Sequence, residues 1–224
     1  MSQLRDVTAR YNPVEAWVYD RFVAPAVMDV QWIVPRFHQM GPPREGDRFL
    51  DVGCGGGQAA IRFARVFPQV TVDGVDVSPF QVQRALKRAR GLDRVAFHRA
   101  PAEQLPFPDA HFDRVYSMVS IKHWSDIEQG LRECVRVLKP EGWLLIAEAD
   151  RACTLDDVRT FIGRTRFPSL FKKVWLPLFR TYVAGQSFTS EELKARFTPL
   201  PLRDLRVEYL PKTPAFAVIA RRTA

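Results

Sequence analysis

The sequence predicts an α/β protein built on a doubly wound, mostly parallel sheet of seven strands, the last two forming an antiparallel hairpin. Three observations carry that expectation. Between Arg48 and Asp150, short apolar runs alternate with helical patterns, as in a parallel sheet covered by helices. Beyond residue 150 come two or three helical stretches and then two more strand-like runs. A chain of 224 residues, 46% of them hydrophobic, can bury one substantial core, so a single domain is expected.

In chain order, residues 1–46 are expected to form an N-terminal helical cap, because Asn12 to Met40 carries a helical apolar pattern interrupted by Pro25. The core, residues 47–150, has strand candidates RFLDV, VTVDGVDV, RVAFHRA, FDRVYSMV and WLLIAEA. Helices are expected at Gln58–Phe67, Pro79–Ala89 and Ser125–Leu138. Ser78 before Pro79 reads as an N-cap followed by proline at the first helical position, and Ser125 with Glu128 as a capping box. Lys139-Pro140-Glu141-Gly142 is expected to end the third helix and turn the chain into the fifth strand. Residues 151–200 read as helices, with Thr189 and Glu192 as a capping box and a kink at Pro177. In 201–224 the runs LRDLRVEYL and AFAVIARR flank a turn at Pro211–Pro214.

The net charge is +8, and its distribution is uneven. From Arg151 onward there are 14 Lys and Arg against 6 Asp and Glu; the first 150 residues hold 19 of each sign. A solvated basic face explains this, as would attraction of an acidic substrate, an anionic membrane surface or nucleic acid. Cys54, Cys134 and Cys153 lack zinc-site spacing and disulfide density, which fits reduced thiols. There is neither a secretory leader pattern nor an apolar run of bilayer length, so a soluble cytoplasmic protein is expected.

The stretch Phe49–Ala60, FLDVGCGGGQAA, sets four glycines between a strand and a helix, where backbone amides can approach a ligand. Gln58 stands where a dinucleotide fingerprint needs its third glycine, and Gly57-Gln58-Ala59 lacks the Gly-Lys-Ser/Thr of a phosphate loop. What remains is Asp-x-Gly-x-Gly-x-Gly. With VDGVDVSP, PAEQLPFPDAHFDRVYS and LRECVRVLKPEGWLLI following in order, residues 47–150 resemble a class I S-adenosylmethionine-dependent methyltransferase, most similar to the group of small-molecule enzymes that includes ubiquinone and menaquinone C-methyltransferases.

That resemblance implies a Rossmann-like fold, with S-adenosylmethionine as cofactor and S-adenosylhomocysteine as product. Asp51 and the carbonyl of Gly53, in the loop that Gly55 completes, would hold the methionine ammonium. Asp76, ending the second strand, would accept from both ribose hydroxyls, by the logic that places an acidic residue after a dinucleotide loop. Val77 and Phe80 would face the adenine. Pro101 stands where relatives have an aspartate for the adenine amino group, which leaves the Ala102 amide as edge contact with Glu103 as a compensating acceptor. Ser117 would meet the methionine end, and Tyr11, with Trp17 and Tyr19 near it, would close over it.

For the methyl acceptor, the resemblance makes 151–200 a helical lid. His123, in SIKHW after the fourth strand, is the candidate base; it could equally line the pocket or only order the loop. Tyr19, His123, Trp124, Phe171 and Trp175 are the candidate acceptor contacts. The aromatics Phe161, Phe167, Phe171, Trp175, Phe179 and Tyr182 fit core packing singly, and together suggest an apolar or aromatic small molecule. Their basic neighbours Arg164, Arg166, Lys172, Lys173 and Arg180 would suit a peripheral membrane contact or nucleic acid. The absence of an Asn-Pro-Pro-Tyr type motif and of an RNA-binding module weighs against nucleic acid. A protein substrate and a non-catalytic cofactor-binding protein are the remaining alternatives. No clustered Asp, Asn and His set suggests a metal.

Overall fold

The computed structural model describes residues 21–22, 37, 39–210 and 213–224. Among these the elements run β1 (Arg48–Val52), α1 (Gln58–Val66), β2 (Thr71–Asp76), α2 (Pro79–Arg88), β3 (Val95–Arg99), β4 (Phe112–Met118), a 3-10 turn (Ile121–His123), α3 (Ile127–Val137) and β5 (Leu138–Ala149). There follow α4 (Leu155–Arg164), α5 (Ser169–Leu178), a π-helical turn (Phe179–Ala184), α6 (Ser190–Phe197), β6 (Leu202–Tyr209) and β7 (Ala215–Arg222). The strand order is β3-β2-β1-β4-β5-β7-β6. β1 to β5 pair in parallel, and β7 is antiparallel to both β5 and β6. The expected doubly wound sheet and closing hairpin are therefore present, and the order reverses between β1 and β4.

Both faces of the sheet's centre are covered, and residues adjacent along a strand enter separate cores. Phe49 lies with Ala60 and Phe63 of α1 and Ala85 of α2 on one side. Its neighbour Leu50 lies on the other with Val115, Ile146, Leu131 of α3 and Phe197 of α6. α4, α5 and the π-helical turn pack a separate small cluster around Val158, Phe161, Ile162 and Phe179. Pro177 cannot donate to the carbonyl four residues back; the chain passes into the wider π turn right after it, where Gly185 N donates to Arg180 O.

Caps explain most helix starts. Ser78 accepts from Gln81 N, with Pro79 in the first turn, as expected. Thr189 and Glu192 cap each other's backbone. The expected Ser125–Glu128 capping box is corrected: Asp126 is the N-cap of α3, accepting from Gln129 N at 2.9 Å, while Ser125 Oγ donates to Glu103. Asp126 sits in the extended conformation that a cap requires. The expected turn at Lys139–Gly142 is also corrected. α3 ends at Val137 and β5 begins at once, Leu138 pairing with Phe112 and Glu141 taking a positive φ of 66° where the register shifts. The predicted N-terminal helix, with Tyr11, Trp17, Tyr19 and His38, lies outside the described residues, as do Pro211 and Lys212 of the predicted turn.

At the amino edge of the sheet, charged groups are matched. Arg114, 4% exposed, donates to Phe37 O and Gly41 O at 2.5 Å each and lies over the Phe37 and Phe49 rings. Asp113 accepts from Lys139 Nζ and from Arg48 N.

Candidate cofactor and methyl-transfer site

The glycine loop leaves β1 at the reversal point of the sheet, where open α/β sheets hold ligands beyond the carboxyl ends of their strands. Gly53 N and Cys54 N both donate to Val75 O at 2.9 Å, tying the loop to β2. Gly53, at φ 74°, also has no room for a side chain: a Cβ there would stand 1.7 Å from Ser120 Oγ. Gly57, at φ 78°, starts α1 without a side-chain cap. These are the conformations and close approaches that glycine supplies.

Two carboxylates flank this loop. Asp51 is 1% exposed and its Oδ2 has no partner. Burial, reinforced by the charge of Asp76, pushes its pKa up to about 8, against the opposing pull of the Ala60 N–H. Asp76 Oδ2 accepts from Gly55 N and Oδ1 from Ser78 N, both at 2.9 Å. Burial raises the Asp76 pKa as well, and those two amides lower it. Each of its oxygens keeps a lone-pair direction for a further donor. A cation beside Asp51 and hydroxyls beside Asp76 would thus complete bonds that the protein leaves open.

The loop after β4 supplies the opposite wall. Val119 takes a positive φ of 56°, a costly conformation for a β-branched residue, and its N–H is held by Ala147 O. This bend brings Ser120 against Gly53. Trp124 Nε1 donates to Ser120 Oγ at 3.0 Å, and the indole packs where a Gly130 side chain would be. Ser117, at the end of β4, is fully buried with Oγ unpartnered. His123 ends the 3-10 turn at an exposed position, its N–H held by Ser120 O.

Of the other expected site residues, Val77 and Phe80 follow β2 on the surface, Val77 at 47% exposure. Ala102 is buried. Glu103 Oε1 is engaged at the start of α3, accepting from Ser125 Oγ at 2.8 Å and Asp126 N at 2.9 Å. Trp175 packs on Phe167 at 5.1 Å, with its Nε1 buried and unpartnered. Phe171 stands apart from that pair, 61% exposed beside Leu170 and Val174. Tyr11 and Tyr19 lie outside the described residues. Sequence reasoning missed Ser120, Lys122 and Glu148. Glu148 had a readable signal, a carboxylate inside the apolar run WLLIAEA.

The order of strands, the glycine loop and its paired acids are the arrangement expected of a class I S-adenosylmethionine-dependent methyltransferase core. Residues 50–146 match the family model described as a methyltransferase domain. The chain is similar to the 27-O-demethylrifamycin SV methyltransferase of Amycolatopsis mediterranei, 43% identical over 119 residues, which cover 52% of this chain and 43% of that protein. It is also similar to the ubiquinone/menaquinone biosynthesis C-methyltransferase UbiE of Geobacter sulfurreducens, 41% identical over 108 residues, or 46% of this chain and 42% of that one. The chain thus spans less than half the length of either relative. A crystal structure of a SAM-dependent methyltransferase from Aquifex aeolicus shares the fold, with a TM-score of 0.71 at 20% identity over 95% of this chain and 99% of that one.

Proposed function

We propose that this chain binds S-adenosylmethionine at the carboxyl edge of β1, β2 and β4 and transfers its methyl group to a small, apolar or aromatic molecule. The observation that carries this reading is Asp51, a buried carboxyl with an unpartnered oxygen beside a glycine loop that has no lysine for phosphate. In this reading Asp51 and the Gly53 carbonyl hold the ammonium, and Asp76 accepts from the ribose hydroxyls. Val77 and Phe80 flank the adenine, the Ala102 amide meets its edge, and Ser117 faces the methionine end. Bound there, the cofactor supplies a methyl group already activated by its sulfonium; the residues around it need only hold the acceptor in line and exclude water.

The acceptor side falls to the loop after β4 and the helices of 151–200, which act as a lid. His123 stands at its rim as a base or a contact, with Trp124 behind it and Trp175 in the lid. The half-buried Phe167–Trp175 pair supports an aromatic acceptor, and the two relatives are named for small molecules, a demethylrifamycin and ubiquinone or menaquinone. Among the described residues no helix is long and apolar enough to cross a membrane. The exposed Leu170, Phe171, Val174 and Leu178 of α5, with Lys172 and Lys173 between them, support a peripheral contact with an anionic lipid surface.

Calorimetric titration with S-adenosylmethionine, and with NAD as control, tests this. Binding of the former alone, in the micromolar range, is expected; its absence overturns the reading. If the cofactor binds but no small acceptor is methylated while RNA or a protein is, the acceptor class is wrong. For His123→Ala, turnover equal to that of the unmodified chain would remove the base role.

A further inference from the structure

β5 carries Glu148 at its carboxyl end, inside the otherwise apolar run Trp143–Ala149. The Glu148 side chain is 0% exposed and that of Lys122, from the 3-10 turn after β4, 8%; Nζ lies 3.1 Å from Oε1. Oε1 also accepts from Ala149 N at 2.8 Å, whereas Oε2 is buried without a partner. A second unpartnered oxygen lies nearby: Ser117 pairs with Ile146, which shares a face of β5 with Glu148.

Such a pair is poor value as a structural tie. Removing two charges from water costs several kcal/mol per ion on the order-of-magnitude scale, and apolar replacements are often as stable or more so. An unpartnered carboxylate oxygen adds to that cost. Both residues nevertheless sit at the sheet edge where the site lies. Asp51 and Asp76 occupy the β1–β2 side of β4; Glu148 is on the other side, next to the loop that carries His123.

We infer that Glu148, held in place by Lys122, receives the hydrogen of a methyl acceptor that is a hydroxyl or amine. The inference rests on the methyltransferase reading. The acceptor's O–H or N–H donates to Oε2. As the oxygen or nitrogen bonds to the methyl carbon, the carbon–sulfur bond breaks with its electron pair going to sulfur, which leaves a neutral thioether. The acceptor's proton passes to Oε2 and from there to solvent. Lys122 is the positioning residue.

The test uses the full chain loaded with S-adenosylhomocysteine and titrated with 4-methylphenol and with its methyl ether, 4-methylanisole; methyl transfer from S-adenosylmethionine to a panel of phenols and primary amines is followed separately. The phenol is expected to bind about tenfold more tightly than the ether, the scale of one net hydrogen bond. Glu148→Gln is expected to erase that preference, raising KM for the phenol by about the same factor, and to lower kcat about 100-fold, the low end for a lost general base. Lys122→Met should lower kcat without weakening S-adenosylhomocysteine binding, and Lys122→Arg should recover most of it. The double variant Lys122→Gln/Glu148→Gln removes both charges and keeps the comparison readable if Glu148→Gln alone does not fold. Failure of the unmodified chain to bind S-adenosylhomocysteine would sink the methyltransferase reading. Retained binding with no preference for the phenol, unchanged kcat in Glu148→Gln, or methylation of carbon alone would overturn the role of Glu148 and leave that reading intact.

Discussion

At the amino edge of the sheet, the buried Arg114 has two carbonyls and two aromatic faces, and Asp113 has a lysine and a backbone amide. At the carboxyl edge, Asp51, Ser117 and Glu148 are as deeply buried, yet each keeps an oxygen without a partner. One sheet thus carries two kinds of buried polarity. Where the protein supplies its own partners, polarity locks the fold. Where it leaves them out, the unmet desolvation cost is available to a ligand that brings the missing donors.

Substitutions at the two edges should therefore fail differently. The largest effect is expected at the amino edge. Arg114→Met strands two carbonyls and should lower unfolding free energy by about 3 kcal/mol, read by denaturant titration, with S-adenosylmethionine affinity unchanged in the folded fraction. Weakened cofactor binding at equal folding would break the comparison. At the carboxyl edge, Asp76→Ala should cost about 2 kcal/mol of cofactor affinity, measured by calorimetry; unchanged affinity would remove the ribose role.

A smaller, graded effect follows from Asp51. With its pKa raised to about 8, the free protein holds that proton at neutral pH, and a bound ammonium displaces it. Affinity should rise with pH below about 8, by up to about 1.4 kcal/mol per pH unit, with proton release visible as a dependence on buffer ionisation heat. The sign for the free fold is the reverse. An unfolded aspartate ionises near pH of about 4 and the folded one only near about 8, so stability falls as pH rises through that window. Asp51→Asn should flatten both slopes. The smallest effect belongs to surface pairs: Glu128→Ala, which frees Arg196, should change stability by less than about 0.5 kcal/mol.

The sheet was legible because its signals are local. Apolar runs, Ser78-Pro79 and the Thr189–Glu192 box each act within a few residues, and AFAVIARR is the whole of β7. The start of α3 was misread because Ser125 and Asp126 are both good caps, and the choice was made by a distant residue, Glu103, which takes the Ser125 hydroxyl and the Asp126 amide. Asp51 and Asp76 were readable from their spacing to the glycines. The pairing of Lys122 with Glu148 was not, because 26 residues separate them and only the pairing of β4 with β5 brings them together.

Ser120 occupies the space that a side chain on residue 53 would need, and its hydroxyl also receives the Trp124 indole. The glycine loop and the turn bearing Lys122 and His123 are thus meshed like two gears, with no slack for one to shift alone. In the proposed site, any movement that admits or releases the methionine end would displace the wall assigned to the acceptor. Loading of the two substrates should then follow a fixed sequence, visible as an ordered initial-rate pattern, and Ser120→Gly, by opening a gap between the loops, should loosen that order before it alters the sheet.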